Sequence, residues 1–163
     1  MRMTEEWLID GYNLLHDIQS NKKDSKANLD RGLFYGQLAD FASIQKIQTL
    51  IVLDGAGDEG ELKVHETALL KIVYSQKLTA DAWIERYLFE KRATTRLVVV
   101  TNDRVITQIA RGGGCRVLKT MEFRELMRES KSDRSEKFLK ERVRSHGFNR
   151  PFDEKFKNRD LTG

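Results

Sequence analysis

The sequence predicts an α/β fold on a mainly parallel sheet. Five short apolar runs alternate with stretches of helical periodicity, the middle runs are continuous and β-branched, and four of the runs lead into an aspartate. The runs Trp7–Ile9, Thr49–Leu53, Ile72–Tyr74, Leu97–Val100 and Arg116–Leu118 read as strands. The middle three carry almost no polar alternation, as expected of strands covered on both faces. Between them, Leu33, Phe34, Leu38, Phe41 and Ile44 recur at helical spacing, as do Trp83, Ile84, Tyr87 and Leu88, and then Val105, Ile106 and Ile109. Thr79 is placed to cap the second of these helices. The run Gly112–Gly114 ends the third, where C-terminal glycine is expected. Strands alternating with helices in this way specify a parallel sheet with right-handed crossovers.

With 163 residues the chain is long enough for one ordinary domain. No stretch is apolar and long enough to span a bilayer. Glu5 and Glu6 stand where a signal peptide needs basic residues, so no export signal is expected. Cys115 is the single cysteine, which excludes an internal disulfide and a cysteine-based zinc site and suits a reducing cytoplasm. We read residues 1–129 as the domain and 130–163 as a basic, partly helical extension. In that extension Phe138, Leu139 and Val143 fit one amphipathic helix, and the stretch around Pro151 reads as loose chain. The formal charge is +4, and from Arg128 onward eleven basic residues face seven acidic ones. The last segment therefore carries the whole excess on a neutral body. That pattern suits an anionic partner such as RNA, or equally a solvated helix with mixed charge.

The stretch "WLIDGYN" (Trp7–Asn13) ends a strand on an aspartate and a glycine. One such aspartate is ordinary turn chemistry, its carboxylate capping a backbone N–H while glycine allows the bend. Here it is one of a set. The first run ends at Asp10, the second at Asp54, the third leads to Asp81 at the start of a helix, and the fourth stops just before Asp103. In a parallel α/β sheet the carboxyl ends of the strands lie along one edge, where ligands bind. Four carboxylates brought together there repel one another unless a cation or shared protons offset them. Oxygen donors without a cysteine or histidine cluster favour Mg²⁺ or Mn²⁺ over zinc. Such an ion acidifies water and stabilises charge on a phosphoryl oxygen, the parts that phosphodiester hydrolysis needs. Asp54 is the weakest member, because "LDGAGDEG" is also simply a glycine-rich loop, and it lacks the Lys-Ser/Thr ending of a nucleotide-binding loop.

At these residues the sequence resembles the YacP-like branch of the NYN family, within the PIN-like nucleases. The resemblance rests on "LIDGYNLLH" (Leu8–His16), "LIVLDG" (Leu50–Gly55), "TADAWIERYL" (Thr79–Leu88) and "VVVTNDRVITQIARGGGCRVL" (Val98–Leu118). It implies a three-layer α/β/α Rossmann-like domain and metal-dependent endoribonuclease chemistry that leaves a 5′-phosphate and a 3′-hydroxyl. By matching position, Asp10, Asp81 and Asp103 form the acidic centre, with Asp54 as a further member and Asn13 orienting a carboxylate beside Asp10. Glu85, one helical turn after Asp81, is a further metal ligand or a supporting acid. Thr101 occupies the family's hydroxyl position before the last aspartate. Asn102 stands where the family carries serine, and "GGGC" (Gly112–Cys115) replaces its small-residue turn, so Cys115 is read as packing at a strand start. The implied cofactor is Mg²⁺ or Mn²⁺, and the implied partner is RNA (mRNA or rRNA), with the ribosome an open further partner and no membrane.

Arg104, next to Asp103, can reach a scissile phosphate, and Lys77, Arg92 and Arg111 are candidates for the same edge. Tyr12, in the loop after the first strand, can stack on an unpaired base or pack beneath a helix. Trp83 and Tyr87 are read as core. His16, His65 and His146 show no ligand spacing. Two functions compete: a metal-dependent endoribonuclease, and an RNA- or ribosome-binding module with weak or no catalysis. A phospho-aspartyl phosphatase needs a second acid two residues after Asp10, where Tyr12 stands.

Overall fold

A computed structural model describes residues 5–20, 31–57, 59–91 and 96–145. Its elements run β1 (Glu5–Asp10), α1 (Gly11–Ser20), α2 (Arg31–Gln45), β2 (Gln48–Leu53), α3 (Glu59–Lys63), β3 (Leu70–Tyr74), α4 (Ala80–Lys91), β4 (Arg96–Val100), α5 (Arg104–Gly112), β5 (Arg116–Leu118) and α6 (Thr120–Ser145). The five strands form one sheet, all pairs parallel, in the order β3-β2-β1-β4-β5. Ile9 pairs with Ile51 of β2 on one side and with Val100 of β4 on the other.

Strand alternation sends successive side chains into two separate cores. On one face Trp7, Ile9, Ile51, Leu53, Val98 and Val100 meet Leu14 of α1, Phe34, Leu38 and Phe41 of α2, and Phe123 of α6. There the Trp7 and Phe123 rings approach the Phe41 ring edge-on, with centroids 5.6 and 5.3 Å away. On the other face Leu8, Leu50, Val52, Leu97 and Val99 meet Ala80, Ile84 and Leu88 of α4 and Ile106 and Ala110 of α5. Helices therefore cover both faces of the sheet, giving three layers.

The five expected strands are present, but their placement differs in one respect. β3 is an edge strand with Lys71 exposed, and so is not covered on both faces. β2 and β4 are covered as expected, with their last five and four residues buried, and so is β1, whose last four residues are buried. α4 packs over β1 and β2, while α2 and α3 pack against β3. Two helices were not expected, and α6 begins at Thr120, ahead of the segment in which its helix was expected. α3 is short, and α1 begins directly after β1, so Tyr12 lies in a first helical turn rather than a loop. Thr79 Oγ1 accepts the Ala82 N–H at 3.2 Å, and Gly113 caps α5 before Gly114 turns with φ +83°. Cys115 is half-buried just ahead of β5.

The chain divides into two compact units, Met1–Met127 and Arg128–Gly163. The described part of the second is helical through Ser145, with an i, i+4 ion pair of 3.7 Å between Lys140 and Glu136. The side chains of Phe138, Leu139 and Val143, the stretch around Pro151, His146 and Arg92 lie outside the described residues. Among the described residues no helix is long and apolar enough to cross a membrane.

Candidate active site

Strand order reverses between β1 and β4, the switch point at which parallel α/β sheets open a cleft beyond their carboxyl ends. Asp10 is the last residue of β1 and is 1% exposed. Its Oδ1 accepts the Asn13 N–H at 3.2 Å, and its Oδ2 accepts from Asn13 Nδ2 and, at 3.0 Å, from Thr101 Oγ1. Burial pushes the Asp10 carboxyl above the usual carboxylate range, and the charge of Asp103 adds to that, while the bonds from Asn13 and Thr101 partly offset it. The glycine after Asp10 has a reason other than a bend. A Cβ on Gly11 would lie 2.6 Å from the Val52 carbonyl oxygen and 2.7 Å from Leu53 Cδ2. Only glycine lets α1 begin against the end of β2.

Thr101 joins two acids. While its hydroxyl donates to Asp10, it accepts the Asp103 N–H at 3.1 Å. Asp103 caps α5, its Oδ1 accepting the Ile106 N–H at 2.9 Å, and Oδ2 is left for another partner. Asp54 has a comparable tie. Its Oδ1 accepts the Ala80 N–H at 3.0 Å and lies 3.4 Å from Ser75 Oγ, which fixes the start of α4 to the end of β2. Asp54 and Asp103 are thus both helix anchors and members of an acidic edge.

Asp81 lies in the first turn of α4 with Glu85 one turn on. Neither of its oxygens takes part in a hydrogen bond or ion pair among the described residues. Partial desolvation raises its carboxyl above the usual range, and the charges of Asp10, Asp103, Glu85 and Asp54 raise it further, in that order. The residues that converge in sequence reasoning therefore converge electrostatically on Asp81. No ion pair among the described residues neutralises any of these five acids. No three His, Cys, Asp or Glu side chains among them are grouped so as to hold an ion unaided. Any ion here would take one or two of these carboxylates together with water and substrate phosphate, as Mg²⁺ does, and not a full set of protein ligands.

The basic candidates separate. Arg104 opens α5 beside Asp103 and is exposed. Arg111 is in the last turn of the same helix, about 10 Å further along its axis at 1.5 Å per residue, and so is carried away from the acidic edge. Lys77 lies in the loop between β3 and α4, lining a separate groove of about 660 Å³ with Trp83, Arg86 and Tyr87. Trp83 and Tyr87 are half-buried and stacked, 5.2 Å apart, rather than fully in the core. Asn102 faces away from the acids: its amide donates to Thr120 Oγ1 at 2.7 Å and accepts the Thr120 N–H at 3.1 Å, capping α6.

Ser75 was missed by sequence reasoning. It is buried, and its hydroxyl accepts the Gly55 N–H at 3.1 Å beside Asp54. The signal was there to read: Ser75 follows β3 directly, as Thr101 follows β4, a hydroxyl one step past each strand.

The chain is a three-layer α/β domain with acids at the switch point of its parallel sheet. The chain matches the YacP-like NYN domain over residues 7–160, and it belongs to that family. The match continues into the C-terminal segment. Among solved structures, the chain is similar to Rae1 (YacP) from Bacillus subtilis at 24% identity and a TM-score of 0.62, over 86% of this chain and 83% of that one. It is also similar to a tryptophan-to-leucine mutant of Rae1 at 21% identity and a TM-score of 0.59, over 93% and 89%. No match was found among curated proteins.

Proposed function

We propose that the chain is a metal-dependent endoribonuclease that hydrolyses RNA phosphodiester bonds at the edge formed by Asp10, Asp81 and Asp103. The observation that carries this reading is the bonded arrangement of acids at the carboxyl edge of the sheet: the Thr101 hydroxyl donates to Asp10 and accepts the Asp103 N–H, and Asp54 accepts the Ala80 N–H at the start of the helix that carries Asp81, with no cation paired to any of them among the described residues. Membership of a nuclease family makes RNA the expected substrate. Asp81, with both oxygens unbonded, and Asp103, through Oδ2, are the acids best able to hold Mg²⁺ or Mn²⁺, and Asp54 and Glu85 add negative charge around them. A bound ion of this kind supplies Lewis acidity toward water and toward the scissile phosphate. Asn13 and Thr101 hold the Asp10 carboxylate in one orientation, so the centre needs little reorganisation when substrate arrives. On this reading Arg104, exposed in the first turn of α5 beside Asp103, receives a phosphate oxygen. Hydrolysis joins the water oxygen to phosphorus and releases the 3′-oxygen, leaving a 5′-phosphate and a 3′-hydroxyl.

The test is cleavage of an unstructured RNA in Mg²⁺ or Mn²⁺ by the wild type and by Asp81→Asn and Asp103→Asn. Each variant is expected to lose at least about a hundredfold in rate. Full metal-dependent cleavage by Asp81→Asn would refute the assignment. The basic excess after Arg128 favours a second reading, a cytoplasmic RNA- or ribosome-binding module with weak or no catalysis. On that reading, deleting residues 130–163 abolishes RNA or ribosome association. If the two readings coexist, the deletion weakens association while the centre still cuts.

A further inference from the structure

A groove of about 200 Å³ runs between α1 and the ends of β2 and β3, lined by Tyr12, His16, Arg31, Asp54 and Tyr74 among others. We infer that this groove is a subsite for one unpaired nucleobase of the RNA strand beside the bond to be cut. The inference rests on the nuclease reading for its substrate class, and it is carried by three features of this chain.

The first is an exposed aromatic with no core to fill. Tyr12 is 62% exposed, yet its ring lies nearly parallel to the His16 ring, 26° between planes and 6.1 Å between centroids. The pair presents flat aromatic surface where an ordinary helix surface carries charge. The second is a fixed wall. Tyr74 ends β3, and a Cβ on Gly57 would come within 2.0 Å of its ring, so that ring lies hard against the Gly57 backbone. A platform held in this way loses little freedom when a base stacks on it. The third is the charge in the lining of the groove. Arg31 provides a cation for a backbone phosphate, and Asp54 is shared with the acidic edge. A strand with its base in this groove is therefore continuous with a phosphate near Asp81. Because the base must leave a duplex to enter, the subsite selects single-stranded RNA.

The test measures binding rather than cleavage, in EDTA, using the full chain and a short fluorescent single-stranded RNA. Abasic residues are introduced at one position at a time, and the same sequence is also offered as a duplex. One abasic position is expected to weaken binding to the wild type about tenfold, the size expected for one lost stacking contact. Tyr12→Ala is expected to weaken the intact strand by a similar factor and to lose the sensitivity to that abasic position. Tyr12→Phe is expected to keep it, and the duplex is expected to bind more weakly than the single strand. Binding indifferent to every abasic position, or equal for duplex and single strand, overturns the subsite. If the abasic effect appears but the wild type cuts no RNA in Mg²⁺ or Mn²⁺, the subsite stands and the nuclease reading falls; if Asp81→Asn cuts as fast as the wild type, the subsite stands and the assignment of the centre to Asp81 falls. If cleavage depends on Asp81 but no abasic position matters, the reverse holds.

Discussion

Gly11→Ala is the sharpest probe of how this sheet delivers its first acid. A methyl at that position meets the Val52 carbonyl oxygen at 2.6 Å, Leu53 Cδ2 at 2.7 Å and Ile51 Cγ1 at 3.0 Å. The Leu53 and Ile51 atoms can yield, but the carbonyl cannot easily recede, because Val52 is paired with Asp10 of β1 and with Val73 of β3. Overpacking of this kind costs about 1–3 kcal/mol. Replacing glycine by alanine in a helix returns at most about 1 kcal/mol, and less in the first turn. The clash wins, and a net loss of about 1–2 kcal/mol is expected, read as a lower urea midpoint followed by tryptophan fluorescence at an unchanged slope. Gly36→Ala is the matched control. Gly36 lies inside α2 with nothing within 4 Å of its Cβ position, so the same substitution is expected to stabilise by about 0.5–1 kcal/mol. Midpoints that move the same way in the two variants, or a Gly11→Ala variant within about 0.5 kcal/mol of the wild type, would refute the close-approach argument.

Three further outcomes are expected. Thr101→Val removes the hydroxyl that ties Asp10 to Asp103 and should cost about 1–3 kcal/mol in urea unfolding, with cleavage slowed about 10–100-fold; unchanged cleavage would remove Thr101 from the site. Asn102→Ala strips the cap from α6 and should lower stability by about 1 kcal/mol while cleavage per folded molecule stays constant, so a selective loss of cleavage would place Asn102 in the centre after all. Tyr87 donates to Glu6, and burial, that bond and the Glu6 charge hold its phenol neutral well above the ordinary 10.0. The stabilisation it gives is therefore intact below about pH 10 and is lost as pH rises toward the folded value; Tyr87→Phe should flatten that alkaline decline in melting temperature, and a decline identical to the wild type would exclude Tyr87 as its cause.

Much of the architecture was legible because it is written in local pattern. The β-branched runs at Thr49–Leu53 and Leu97–Val100, the helical spacing around Leu38 and Ile84, and the glycines closing α5 each specify their element without distant contacts. α1 was not legible, since Gly11, Asn13, His16 and Ser20 are weak helix formers and the helix depends on Leu14 reaching the core. The position of β3 was not legible either, because strand order is decided by crossovers and helix packing, not by the strand's own residues. The acids were visible at their strand ends, and the family resemblance put Asn13 and Thr101 beside them; the bonds that join these side chains, and the part played by Ser75, were not. Thr101 meets Asp10, and Ser75 meets Asp54, across long separations in sequence. The remoteness of Arg111 was legible: the helix after β4 starts at the carboxyl edge of the sheet, so its last turn lies away from the cleft.

The central position of β1 also orders events during synthesis. A nascent chain that has emerged only as far as Lys91 holds every residue needed for the β3-β2-β1 half of the sheet, but β1 still lacks the neighbour that supplies Thr101 and Asp103. Asp10, Asp54 and Asp81 are then already made, with one flank of the first strand open to water. The acidic edge is completed only when β4 inserts against it, so the growing polypeptide carries most of its acids well before it has the arrangement that could use them.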